Sequence, residues 1–199
     1  MRFEESDYVL PAQELTREIA RLLPDYLPGR ETGGVTITDR RSCWTKTMRN
    51  LLEALGSTHR LQTTVDDLSD WGSGKQLKML WKRGDGVSLA AMSGWGDREE
   101  LERSFIHLEA VKAPQKVLLY TCAKWQDAVL EQLAAALLRY PHHIEGEEYL
   151  AINLFGADSQ IAAHIRRVSS SGRITLQQSL LTPVAGSPFK WGKTTARNA

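Results

Sequence analysis

Residues 77–122 read LKMLWKRGDGVSLAAMSGWGDREELERSFIHLEAVKAPQKVLLYTC, and this stretch decides the fold. Leu77, Met79 and Trp81 alternate with Lys78, Leu80 and Lys82, a period of two that suits a strand with one strongly apolar face. Gly84-Asp85-Gly86 has the chemistry of a hairpin turn. Residues 87–92 (VSLAAM) follow as a second short apolar strand, and Gly94 and Gly96 loosen the backbone around Trp95. Asp97 with Glu100 three residues later predicts a capping box. Leu101, Phe105, Leu108 and Val111 then lay one apolar stripe along a helix that Ala113-Pro114 stops. Residues 116–122 (KVLLYTC) form the nearly continuous apolar run expected of a strand covered on both faces. Two strands, a helix and a third strand joined by short polar segments are the core of an α/β domain.

Working outward, residues 11–27 (PAQELTREIARLLPDYL) predict a helix with Pro11 in its first turn. Leu15, Ile19, Leu22 and Leu23 form its stripe, and Pro24 with Pro28-Gly29 ends it. Residues 35–38 are a short β-like run. Ser42 caps a helix over 44–55, with Trp44, Met48, Leu51, Leu52 and Leu55 on one face and Gly56 as the residue just past its end. A short strand is expected over 61–65. Beyond the central stretch, residues 124–139 predict a helix ended by Pro141, and residues 148–155 (EYLAINLF) a strand. Ile161, Ala163 and Ile165, then Ile174, Leu176 and Gln178, alternate around the turn-like Ser169-Ser170-Ser171-Gly172. This reads as a terminal hairpin, with a helix over 158–168 as the alternative. The segment from Pro183 is rich in Gly, Pro and small polar residues and is expected to be loosely ordered apart from Phe189 and Trp191. The expected organisation is one domain over 1–182, with 1–41 as an N-terminal helical extension and 183–199 as a tail. Its fold class is α/β: a central mixed sheet with a three-strand meander and a crossover helix, and helices on both faces.

Composition narrows the class. The chain has 199 residues, 42% hydrophobic and 25% charged, which is ordinary for a globular protein. A net charge of +1 carries no global field toward nucleic acid, though it leaves room for a local basic face. No apolar run approaches the roughly 20 residues that span a bilayer. The N-terminus (MRFEESDYVLP) lacks the apolar core of a secretory signal, so a cytoplasmic location with no membrane contact is expected. Cys43 and Cys122 stand far apart without metal-ligand neighbours and read as reduced, buried thiols.

The segments WTKTMRNLLEALG, LKMLW, LAAMSGWGDREELERSF and VKAPQKVLLY, spread over residues 44–154, resemble the restriction-endonuclease-like PD-(D/E)xK phosphodiesterase superfamily. More narrowly, they are similar to a group of bacterial proteins within that fold. The resemblance implies an Asp on one meander strand, then a Glu and, two residues later, a Lys or second Glu on the next. The two carboxylates would hold Mg²⁺ at the scissile phosphate, and the third group would help position the attacking water. On this chain the Asp falls at Lys78, the Glu at Met92 and the third group at Gly94. A Lys in place of the first acid repels a divalent cation by roughly 2 to 8 kcal/mol at 4 Å. A thioether is too soft a ligand for Mg²⁺. The resemblance therefore implies a nuclease-like frame without its catalytic acids, no cofactor, and Mg²⁺ only if other acids have taken over. Asp85, Glu53 and Glu109 are the candidates for such a relocated site, each otherwise expected to be a solvated surface acid; Glu109 follows the apolar Leu108 and is expected off the core stripe.

Other chemistry is weaker. His142-His143 with Glu145, Glu147 and Glu148 is the densest set of ligand-type residues, but its spacing matches no metal pattern and it reads as a structural or exposed loop. His107 reads as packing or surface. Ser169–Gly172 lacks the Lys of a phosphate loop, and there is no nucleophile elbow or dinucleotide fingerprint. Basic residues group locally as Arg40, Arg41, Lys46 and Arg49, as Lys75, Lys78, Lys82 and Arg83, and as Arg166, Arg167 and Arg173. If they converge, a phosphate-binding face outlives the lost catalysis. Trp71 and Trp95, in Gly-flanked loops, are candidate partner contacts. Three functions follow as expectations: a catalytically silent nuclease-fold module binding nucleic acid or protein, alone or as a homodimer; an active metal-dependent nuclease with a relocated acidic site; or an unrelated α/β binding domain with a pocket near Trp95.

Overall fold

A computed structural model describes residues 2–26, 37–67, 77–95, 97–122, 126–154 and 160–184; for 37–43, 66, 67, 77 and 126 the backbone alone is described. Among these residues a seven-stranded mixed sheet runs in strict chain order. After a 3-10 turn at Glu5–Asp7 come α1 (Ala12–Tyr26), α2 (Ile37–Thr58), β1 (Gln62–Asp67), β2 (Leu77–Arg83) and β3 (Gly86–Gly94). They are followed by α3 (Arg98–Glu109), β4 (Gln115–Tyr120), α4 (Gln126–Arg139), β5 (Glu148–Asn153), β6 (Gln160–Val168) and β7 (Ile174–Pro183). β1, β2 and β3 pair antiparallel as a meander. β3–β4 and β4–β5 are parallel, with α3 and α4 as their crossovers. β5, β6 and β7 return to antiparallel pairing.

The strand period of two divides the core in two. One face carries Met79, Trp81, Leu89, Ala91, Val117, Leu119, Leu150 and Ile152 against α1 and α2. The other carries Met92, Leu118, Tyr120, Tyr149 and Ala151 against α3 and α4. α1 thus shares the central core through Leu15, Ile19 and Leu23.

Several local expectations are corrected. Pro24 does not end α1; it lies in the last turn, where its missing N–H removes only one helical bond, and the buried Leu23 keeps the turn seated. Residues 37 and 38 are helical, not extended, and residues 35 and 36 lie outside the described residues. α2 therefore begins upstream of Ser42, which is no cap. Gly56 lies within α2: a Cβ there would stand 2.5 Å from Thr63 Oγ1 and 2.9 Å from Trp81 Nε1. The end of α2 is made by Arg60 in left-handed backbone (φ 56°), with Arg60 N–H donating to Ser57 and Leu61 N–H to Gly56. At α3 the Asp97 carboxylate caps Glu100 N–H at 3.0 Å, but the Glu100 carboxylate accepts from Trp95 N–H rather than closing a reciprocal box. Val111 falls beyond α3 and is half-buried. Residues 160–168 are strand, so the hairpin reading holds over the helix alternative. Val184 is buried; 185–199, with Phe189 and Trp191, lie outside the described residues, as do Trp71 and Lys75.

Candidate functional site

The antiparallel pairing of β2 and β3 sets Lys78 directly opposite Met92. Directly opposed residues of an antiparallel pair share a face, so both belong to the α3 side. Met92 is fully buried in the cluster that holds Leu101 and Phe105, while Lys78 is half-buried. Gly94 follows on the same face, and a Cβ there would lie 2.6 Å from Leu101 Cδ2. α3 therefore rests directly on β3, and Leu101 fills the space a side chain at 94 would need. An ammonium, a thioether and no side chain at all are not a ligand set for Mg²⁺, which takes oxygen donors. No metal-assisted step can be built on these three positions.

Beyond them, Trp95 turns inward. Its Nε1–H donates to Thr45 Oγ1 at 2.9 Å, and its ring lies 6.1 Å from that of Trp44 on α2. The Trp95 ring thus packs against α2 rather than projecting from an open loop. At the neighbouring strand ends Asn153 exchanges two hydrogen bonds with the Cys122 backbone, at 3.0 and 2.8 Å. Cys122 is a free, buried thiol; the side chain of Cys43 lies outside the description.

The relocation candidates stand apart. Asp85 is exposed in the β2–β3 turn. Glu53 pairs with Arg49 one helical turn away on α2, at 3.1 Å. Glu109 ends α3 on the other face of the sheet. The basic residues are divided too: Lys46 and Arg49 are exposed on α2, whereas Lys78 and Lys82 lie on the opposite face, across from Met92 and Val87. Of Arg40 and Arg41 only the helical backbone is described.

No family model, curated protein or solved structure matches the chain.

The densest chemistry is elsewhere, at the start of β4 and β5. Lys116 lies in the apolar run of β4 with its side chain fully buried. Its Nζ donates to the Glu109 carbonyl oxygen at 2.9 Å, to Tyr149 Oη at 3.0 Å and to Glu147 Oε1 at 3.0 Å, which accounts for all three protons. Burial weakens the ammonium's hold on its proton, and Glu147 opposes that. Tyr149 Oη donates to Glu147 Oε2 at 3.0 Å, and burial pushes the phenol far up. His143 Nε2 faces the Leu137 carbonyl at 2.8 Å and so carries a proton; Nδ1 lies 3.0 Å from Glu147 Oε2. Burial raises the Glu109 carboxyl to about 7, against the pull of His143, Lys116 and Arg139.

Glu109 is thus no surface acid, which corrects the sequence reading. It lies four residues after Phe105 and eight after Leu101, on the stripe rather than off it, and is 3% exposed. His143 sits on the loop foreseen for it, but buried under the hairpin turn. A Cβ on Gly172 would meet its ring at 3.1 Å. A signal was present: a Lys inside a strand covered on both faces must find a counter-charge, because an unpaired buried ammonium is prohibitively costly. Among the described residues no group of three or more His, Cys, Asp and Glu is placed to hold a metal ion. With Lys116 and Glu147 sealed from solvent, the cluster joins α3, β4, β5 and the end of α4 rather than presenting reactive groups to a substrate.

Proposed function

We propose that this chain is a catalytically silent relative of the PD-(D/E)xK nucleases that serves as a binding module for nucleic acid or protein in the cytoplasm. One observation carries the reading. The meander sets Lys78 opposite Met92 with Gly94 two residues on, the positions at which the resemblance expects the acids, and none of the three supplies an oxygen ligand. The three-strand meander followed by a crossover helix and a parallel strand is compatible with this reading. A relocated site has less support, because Asp85, Glu53 and Glu109 stand on three separate parts of the fold. The separation of Lys46 and Arg49 from Lys78 and Lys82 limits any phosphate-binding surface to one face at a time. Among the described residues no helix is long and apolar enough to cross a membrane.

The test has two arms. Labelled single- and double-stranded DNA and RNA are incubated with the protein and Mg²⁺ or Mn²⁺; no cleavage is expected. Hydrolysis that disappears in Glu109→Gln, Glu53→Gln or Asp85→Asn would overturn the proposal. Fluorescence anisotropy on the same oligonucleotides across a salt series then separates partner classes. Binding through α2 should weaken with salt, and the log–log slope should shrink by about 0.9 on duplex DNA, or about 0.7 on single strands, for each phosphate contact removed by Lys46→Ala or Arg49→Ala. Absence of binding even at low salt would remove nucleic acid as the partner class.

A further inference from the structure

Glu109 is the last residue of α3, and three features of its position conflict with a negative charge there. Its Oε1 is buried without a hydrogen-bond donor. A carboxylate at a helix C-terminus opposes the helix dipole. The cluster around it already contains a second carboxyl group, that of Glu147, paired with Lys116. Yet the backbone at this point is close to water: Ala110 is exposed and Val111 half-buried. The turn is held by Ala110 N–H to Ile106 at 3.3 Å, Val111 N–H to Leu108 at 3.2 Å, and the Glu109 carbonyl on Lys116 Nζ. These are few and mostly long bonds, at a point where opening would bring the carboxyl to solvent.

We propose that the C-terminal turn of α3 is a pH-operated latch, closed while Glu109 holds its proton and opened when Glu109 releases that proton to water. The groups that face Glu109 set its range. Lys116 on β4, His143 on the loop before β5 and Arg139 at the end of α4 favour the carboxylate; Glu147 opposes it. Tyr149 and Tyr140 are neutral phenols held above their ordinary range, so they add no charge to the balance. Burial outweighs all of these and sets the release near 7. A carboxyl held more tightly in the folded state contributes stability that is complete below its unfolded pKa and is lost as pH rises through the folded value. The latch thus closes in acid and opens in mild base. Opening frees Lys116 Nζ from the Glu109 carbonyl while Glu147 and Tyr149 still hold it, so the sheet stays intact.

The experiment uses the full chain. Infrared difference spectra between about pH 5 and pH 9 read protonated carboxyls, and amide hydrogen exchange, corrected for its intrinsic pH dependence, reads the turn. In the parent protein one buried carboxylic-acid band should vanish with a midpoint of about 7, and opening at Ala110 and Val111 should rise at least tenfold over the same range. Glu109→Gln should lack the band and keep both amides protected at every pH. A band that survives Glu109→Gln, or parent amides equally protected at both ends of the range, would overturn the proposal. So would transfer of the proton to His143: its ring resonances would then move at the same midpoint while Ala110 and Val111 stayed closed. The parent measurements decide the matter even if the variant folds poorly.

Discussion

Lys116 Nζ lies 3.0 Å from Glu147 Oε1, and neither side chain is more than 2% exposed. The pair connects β4 to the segment entering β5, where those strands run parallel and no hairpin joins them. Removing one partner leaves the other charge buried. Glu147→Gln and Lys116→Met are each expected to cost about 3–5 kcal/mol, read as a lowered urea midpoint. Replacing both with apolar residues should cost less than either single change.

Gly94 and Met92 decide between a vestigial site and a packing surface. Gly94→Ala should cost about 1–3 kcal/mol by overpacking, because its methyl would overlap Leu101 Cδ2. Met92→Glu should cost more, since an unpaired carboxylate would enter the α3 cluster. Placing acids at both positions in Lys78→Asp/Met92→Glu should yield no Mg²⁺-dependent cleavage, measured on plasmid and oligonucleotide substrates.

At Gly56 two effects oppose. Alanine favours a helix interior over glycine by about 1 kcal/mol. Against this, its methyl would meet Thr63 Oγ1 and Trp81 Nε1 where α2 crosses β1 and β2. The clash has few ways to relax, since Trp81 is fully buried, so Gly56→Ala should lower stability by roughly 1–2 kcal/mol net. Gly84→Ala meets no atom within 4 Å, and its φ of 59° sets the whole cost, about 1 kcal/mol. Thermal unfolding of the two variants separates contact from backbone strain.

Trp95 joins the end of β3 to α2. Trp95→Phe and Thr45→Val each remove the bond between them and should cost about 1–2 kcal/mol. The double variant should cost less than their sum, because the bond the two residues share is lost only once. Urea unfolding of the four proteins of this cycle measures the coupling directly.

Much of the frame is legible in the chain because it rests on short-range rules. Gly84-Asp85-Gly86 marks the β2–β3 hairpin, Asp97 caps α3, Pro141 follows the end of α4, and 116–120 reads as a strand covered on both faces. The local rules fail where distant packing overrides them. Gly56 has the composition of a helix end but sits inside one, because Trp81 presses against it from a strand 25 positions later.

By itself the sequence determined the α/β order, the meander, the crossover helix and the absence of acids at 78, 92 and 94. These follow from periodicity, turn chemistry and residue identity, all of which act over a few positions. Only the tertiary structure decided that Glu109, Lys116, His143, Glu147 and Tyr149 meet. Whether a charge is solvated or buried depends on which side chains close over it, and here they come from α3, β4, β5 and the end of α4. The same closure makes Met92 and Gly94 packing positions and Glu109, an apparent surface acid, the most buried carboxyl on its helix.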